Sequence, residues 1–379
     1  MRKRIKAVCV FLGVVLLSLN VCAQERPVPV RIYSGGKSQT KTYMHQFVDS
    51  PDGSKYAFRY FPGDDQPTGR TGSASPCEVW ICNSDLTGHH KAFTSPKSEG
   101  GHGSDVIVWV TNDLMYYAGI SYQVSTRKVL WRFKGTDAQV PLARMGPVNA
   151  HKLYVGIRRD PKTKGWYWLD PSSPSRPRLH LVNDMKGLVR YYRGSWKHAE
   201  ATYVYQNPGD TRIFVVAYDR SRRKEHAFVL NADGSVHGFL GHNRRGHCAN
   251  GHVLWYDDST LLAGNQHPGV FDLKGKLIKR IADKGNHLSL SPDKRWWVAD
   301  IHRDKKEVRL HRFGSNAYTV INGDVQYFGD FHPSFSRDGR YVFFAGKRPS
   351  EPHPGVFRVD VSGITGAKNK ESGRSRQSP

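Results

Sequence analysis

The stretch GNHLSLSPDKRWWVAD, Gly285 to Asp300, sets a histidine ahead of a short apolar run, then a Ser-x-Asp turn, then a strand rich in Trp and Val. Ser, Pro and Asp reverse the chain, and the flanking aliphatic and aromatic residues favour extended backbone, so the stretch predicts a β-hairpin. YMHQFVDSPDGSKYAFRYF from Tyr43 and FHPSFSRDGRYVFFAGK from Phe331 repeat it. Weaker copies begin at His102 (HGSDVIVWVTNDLMYYAG), Gly146 (GPVNAHKLYVGI), His198 (HAEATYVYQNPGDTRIFVVAYD) and His247 (HCANGHVLWYDDSTLLAG). From His45 onward the starts are spaced by 57, 44, 52, 49, 40 and 45 residues.

A self-similar β unit at that period is the mark of a propeller, in which each repeat is a small antiparallel sheet. Seven units predict an all-β chain, a single seven-bladed β-propeller over residues 41–363. Residues 24–40 then form an N-terminal extension, and 364–379, polar and basic, a disordered tail. EVRLHRF after Asp300 and GVFRVDV near the C-terminus supply outer strands, and no long amphipathic helix is seen.

Arg2, Lys3, Arg4 and Lys6 precede the apolar run Ala7 to Leu19, and Val21-Cys22-Ala23 follows, the pattern of a signal peptide at 1–23 cleaved after Ala23. Val21 argues against lipidation at Cys22. The expected location is the periplasm or the extracellular space, with no membrane span. Cleavage would leave Cys77, Cys82 and Cys248, an odd number and no disulfide framework. In CEVWIC a straight strand separates Cys77 and Cys82 by roughly 16 Å, too far to bridge, so buried or free thiols are expected.

Net charge is +24, and +20 without the four basic residues of the leader. Such a field favours polyanions. In an exported protein with no nucleic-acid motif, the expected partner is an acidic polysaccharide or oligosaccharide and not nucleic acid.

Six of the seven units begin with a histidine where the innermost strand leaves the upper loop, a place that lines a propeller's ligand funnel. Singly, such a histidine serves a blade-entry hydrogen bond. Together they define a candidate site, with His45 and His102 as substrate contacts.

YMHQFVDSPDG, YVYQNPGDTRIFVVAYD, GHVLWYDDS, NHLSLSPD and FHPSFSRDG, in that order, resemble stretches of the oligogalacturonate lyase family and related seven-bladed uronate-polysaccharide lyases. The SPDG-type turns also look like those of TolB-type propellers. The lyase resemblance implies a divalent metal in the funnel, often manganese; a carboxylate ligand would also suit calcium or zinc, and no organic cofactor is expected. It implies His287 and His332 as metal ligands, Asp330 where the family has a further histidine, and Gln326 near the family's glutamine. The His-x-x-Trp histidine implicated in catalysis matches His252, and a family arginine falls near His226, so the set departs from the family at Asp330 and His226.

A lyase acting on a 4-linked uronate needs a carboxylate neutraliser, a base near neutrality and an acid for the leaving oxygen. His252 is the candidate base, and His198, His226 or Tyr203 the acid. Arg193, Arg244 and Arg245 are candidates to hold flanking carboxylates or sulfates by bidentate contacts. The expected function is secreted cleavage of oligogalacturonate-like or ulvan-like chains by β-elimination. No facing carboxylate pair, Gly-x-Ser-x-Gly turn, P-loop or dinucleotide fingerprint supports another enzyme class. The alternative is a non-catalytic propeller that binds glycan or protein, in which the funnel histidines do not converge.

Overall fold

The computed structural model describes residues 27–33, 38–40, 47–62, 77–95, 107–117, 119–132, 152–157, 164–192, 194–242, 252–264, 268–301, 305–327 and 331–367. Among them the strands form seven small antiparallel sheets, the blades of a propeller. The fourth blade runs Ala199–Gln206, Arg212–Asp219, Lys224–Asn231, Val236–His242 from the axis outward. The fifth is Val253–Trp255, Thr260–Ala263, Gly269–Asp272, Leu277–Arg280, and the sixth Leu288–Leu290, Trp296–Ile301, Glu307–Arg312, Tyr318–Val320. The helices among the described residues are single turns, none long and apolar enough to cross a membrane.

The seventh blade takes three strands from the C-terminal part of the chain and its outermost strand, Val30–Arg31, from the other end, paired with Gly355–Asp360. Ser38–Thr40 pairs with Lys55–Phe61 of the first blade. Val30–Arg31 and Ser38–Thr40, within the expected N-terminal extension, are thus strands of the propeller. The reason is the ring: a closing blade leaves an edge to be covered, and a segment from the opposite terminus fastens it.

The third blade has three strands among the described residues, beginning with Leu153–Ile157. Lys164, past the end of that strand, reaches the carbonyls of Trp196 and Ala199 at the head of the fourth blade. Leu153–Ile157 therefore runs toward the end where innermost strands begin, the direction of a second strand.

Each blade is sandwiched between two others, so its strands are buried on both faces. In Trp296–Ile301, Trp297 and Ala299 pack toward the fifth blade with Leu262 and Leu288, while Val298 packs toward the seventh with Phe335 and Phe344. The period-2 alternation of a strand here divides one apolar run between two interfaces. Seven hydrophobic clusters result, one at each blade-to-blade junction. Cys77 and Cys82, both buried and neither in a disulfide among the described residues, lie in two of them.

The Ser-x-Asp hairpins share one device. In the sixth blade Ser291 Oγ accepts the Trp296 amide at 2.9 Å and donates to Asp293 Oδ1 at 2.6 Å, while Asp293 accepts the Arg295 amide at 3.0 Å. Ser50 with Asp52 and Ser336 with Asp338 repeat the pattern. Each turn needs one left-handed residue: Gly53 (φ 72), Gly339 (φ 75) and, where the sequence has lysine, Lys294 (φ 58).

His311 lies under Trp297, rings stacked 3.9 Å apart, 4 % exposed, with neither ring nitrogen hydrogen-bonded among the described residues. Burial, and then the Arg309 cation, push it down to about 4. An unfolded histidine titrates near 6.5, so the stability His311 contributes is full above that pH and is lost as pH falls toward 4, roughly 3 kcal/mol in all. Asp49, its carboxyl pushed up to about 7 by burial, slopes the other way, losing stability as pH rises. Only a comparison of variants isolates His311. In urea melts, His311→Phe, which keeps a ring over Trp297, is expected to lose about 2 kcal/mol less than the parent between pH 7 and pH 5. An equal loss in both would show that His311 does not set the acid limb.

Candidate functional site

His252, His287 and His332 stand just ahead of the innermost strands of the fifth, sixth and seventh blades, and hairpin register places them on one rung. Trp255, Leu290 and Phe335 are the last paired residues before each turn, and each histidine lies three residues before its own. Three successive blades thus carry one side chain each to the same height. The rings meet: centroids of His252 and His287 are 4.6 Å apart, those of His287 and His332 4.2 Å.

Two residues absent from the sequence candidates brace this trio. Asp300 is fully buried. Its Oδ1 accepts the His287 amide at 3.0 Å, and its Oδ2 lies 2.9 Å from His287 Nδ1 and accepts the His332 amide at 3.2 Å. A carboxylate on Nδ1 fixes the Nδ1–H tautomer and turns Nε2 toward the site. His332 itself holds φ 47, a left-handed conformation histidine adopts only where its surroundings require it. The bond to Asp300 is one such requirement.

Asn286 is the second brace. Its Oδ1 lies 2.8 Å from His252 Nδ1, an acceptor that again leaves Nε2 as the ring's lone-pair nitrogen. Its Nδ2 lies 3.3 Å from both ring nitrogens of His287, the geometry of an amide over the ring rather than in its plane. The loop is pinned by the Asn286 amide on the Asp300 carbonyl at 3.0 Å, and by Gly264, whose amide reaches the His252 carbonyl at 2.8 Å. A Cβ on Gly264 would sit 1.8 Å from the Asn286 carbonyl oxygen, so only glycine admits this approach. The signal for Asp300 was in the sequence: one carboxylate inside WWVADI, a strand buried on both faces, must be satisfied by something.

The other candidates are placed as follows. Tyr203 lies three residues before Gln206, the last paired residue of its strand, and so shares the histidines' rung on the neighbouring fourth blade. It is half-buried, its ring parallel to Tyr205 at 6.3 Å. His198 is exposed at the head of that strand. His226 departs from its expected place: it sits on the third strand of the blade, 1 % exposed, stacked on Tyr192 at 4.2 Å. Third strands lie away from the axis, so the fold separates it from the trio. Gln326 is exposed and its backbone is bridged to Lys347. His45, His102, Arg193, Arg244, Arg245 and Asp330 lie outside the described residues, as does the segment 1–23 read as a signal peptide.

Among the described residues, no group of three or more His, Cys, Asp or Glu is arranged to hold a metal. His287 and His332 supply two imidazoles, and the Asp300 carboxylate is taken up behind His287.

No family model and no curated protein matches the sequence. Solved structures do. An oligogalacturonate lyase from Vibrio parahaemolyticus superposes with a TM-score of 0.61 at 13 % identity, over 91 % of this chain and 96 % of that one. An oligogalacturonate lyase in complex with manganese gives 0.60 at 12 % identity, over 89 % and 94 %. The Swd1 β-propeller domain of Myceliophteria thermophila gives 0.56 at 12 % identity, over 87 % and 98 %. At these identities what is shared is the fold, and in that sense the resemblance read from the motifs holds.

Proposed function

We propose that this propeller is a lyase that cleaves chains containing 4-linked uronic acid by β-elimination, and that it acts outside the cytoplasm, as the leader sequence suggests. The observation that carries the reading is the convergence of His252, His287 and His332 on one rung, with Asn286 and Asp300 holding the rings of His252 and His287. A purely structural blade-entry role requires no such meeting. The fold likeness to oligogalacturonate lyases, one of them a manganese complex, supports the same reading.

His252 Nε2 removes the C5 proton, the C–H electron pair becomes the C4=C5 double bond, and the C4–O4 bond breaks. Tyr203, on the same rung one blade back, gives its phenolic proton to the departing O4. His287 and His332 face the uronate carboxylate, whose neutralisation makes the C5 proton removable. A divalent cation held by His287, His332 and a further donor such as Asp330 would act there as a Lewis acid. The described donors fall short of a complete set.

The purified protein, with and without chelator, is offered pectate and its oligomers, ulvan, alginate, glucuronan and glycosaminoglycans while ultraviolet absorbance of unsaturated uronate is followed. Absorbance is expected to rise with one of them, which names the polymer, and chelator sensitivity decides the metal. No rise on any glycan overturns the lyase reading in favour of a binding module.

A further inference from the structure

The two ends of the propeller carry different turns. The end bearing the hairpin turns is lined with aspartates that cap them, Asp52, Asp113, Asp257, Asp293 and Asp338 among them, interspersed with cations. At the opposite end, where the histidines open, the fourth blade carries a dense group of cations. Its turn between Asp219 and Lys224 reads Arg220-Ser221-Arg222-Arg223-Lys224, four cations in five residues.

That turn is built to be rigid. Fully buried Asp219 accepts Ser221 N at 3.0 Å, Ser221 Oγ at 2.6 Å and Arg222 N at 3.3 Å through one oxygen. Arg223 takes the left-handed position, φ 51, that glycine fills elsewhere in this fold. The Arg220 amide ties the turn to the His198 carbonyl at 3.0 Å, bringing exposed Lys197 alongside. Arg220 is paired with buried Glu200 at 3.3 Å and Arg222 stands 4.0 Å from Asp219, whereas Lys197, Arg223 and Lys224 have no carboxylate partner among the described residues. The scaffold fixes the backbone that carries these exposed cations, so that binding has only their side chains to order, and their clustered charge favours a polyanion.

We infer that Lys197, Arg222, Arg223 and Lys224 form a rim subsite for the acidic groups of a long polyuronate whose reacting residue lies at the histidine rung. The inference rests on the proposed function for the identity of the chain in the funnel. Ala199, beside the cations, precedes Tyr203 by four residues, about 13 Å along the strand. A uronate dimer seated at the histidines does not span that distance. The subsite therefore selects for chain length.

The test is binding, not turnover, and uses the full chain carrying His252→Ala so that no substrate is consumed. Affinity is measured for a uronate dimer and for the corresponding long polyuronate, with and without Arg222→Gln, Arg223→Gln and Lys224→Gln together. The control is Lys274→Gln, Lys276→Gln and Arg295→Gln, the same loss of charge from exposed residues at the other end. The rim triple is expected to weaken the long chain at least tenfold and the dimer less than twofold, with a shallower salt dependence; the control shifts both less than twofold. Equal loss from the two triples, or no loss from the rim triple, overturns the subsite. Single-stranded DNA bound as tightly as polyuronate at the same charge overturns its assignment to glycan. If the subsite binds as expected while no glycan yields unsaturated product, the lyase reading fails alone.

Discussion

His252→Ala is expected to lower the rate of unsaturated-uronate formation by about 10³-fold, the scale of a positioned general base. The residue is no part of the hydrophobic clusters: it is half-buried ahead of its strand, and its ring meets Asn286 and His287. Circular dichroism and thermal midpoint of the variant should therefore match the parent. The acid limb of the parent's kcat/KM profile should also report a single essential base, the group that must lose its proton before it can take one from C5. Turnover of His252→Ala within tenfold of the parent would remove His252 from that role, and a collapsed spectrum would leave Asn286→Leu, which frees the His252 tautomer without deleting the ring, as the decisive variant.

Asp300→Ala is expected to be the most damaging single change to the fold at this site. It strips the acceptor from the His287 amide, the His287 ring and the His332 amide at once, all in a water-poor interface. Each abandoned donor costs about 1–3 kcal/mol, and removing one member of a buried charged network about 3–5 kcal/mol, so a loss near 4 kcal/mol is expected. In a domain of this size that lowers the midpoint by on the order of 10 °C. Asp300→Asn keeps the shape and one acceptor and should lose roughly half as much. A shift under about 2 °C for Asp300→Ala would show that water replaces the carboxylate, and that the left-handed backbone of His332 is held by its other neighbours.

The two expectations draw on different depths of information. His252 stands out in GHVLWYDDS by its place in the sequence, whereas Asn286 and Asp300, both within the stretch Gly285 to Asp300, do not. A histidine at the start of a strand announces itself by position. A carboxylate or amide announces a role only through the partner it meets, and here the partners come from other blades: His332 lies 32 residues from Asp300, and His252 lies 34 from Asn286. His226 failed for the converse reason. Its place in a motif said nothing of strand order, and the third strand of a blade is remote from the axis.

What the sequence determined by itself was everything local and periodic. The Ser-x-Asp hairpins, the β class, the number of blades and the order of the blade-heading histidines follow from hydrogen bonds and side-chain alternation within a few residues, repeated seven times. Tertiary structure alone decided that Val30–Arg31 closes the ring, that Tyr203 shares a rung with three histidines while His226 does not, and that Asp300 and Asn286 hold the array. Those outcomes depend on register between strands and on closure of the ring, which bring together groups that no local rule relates.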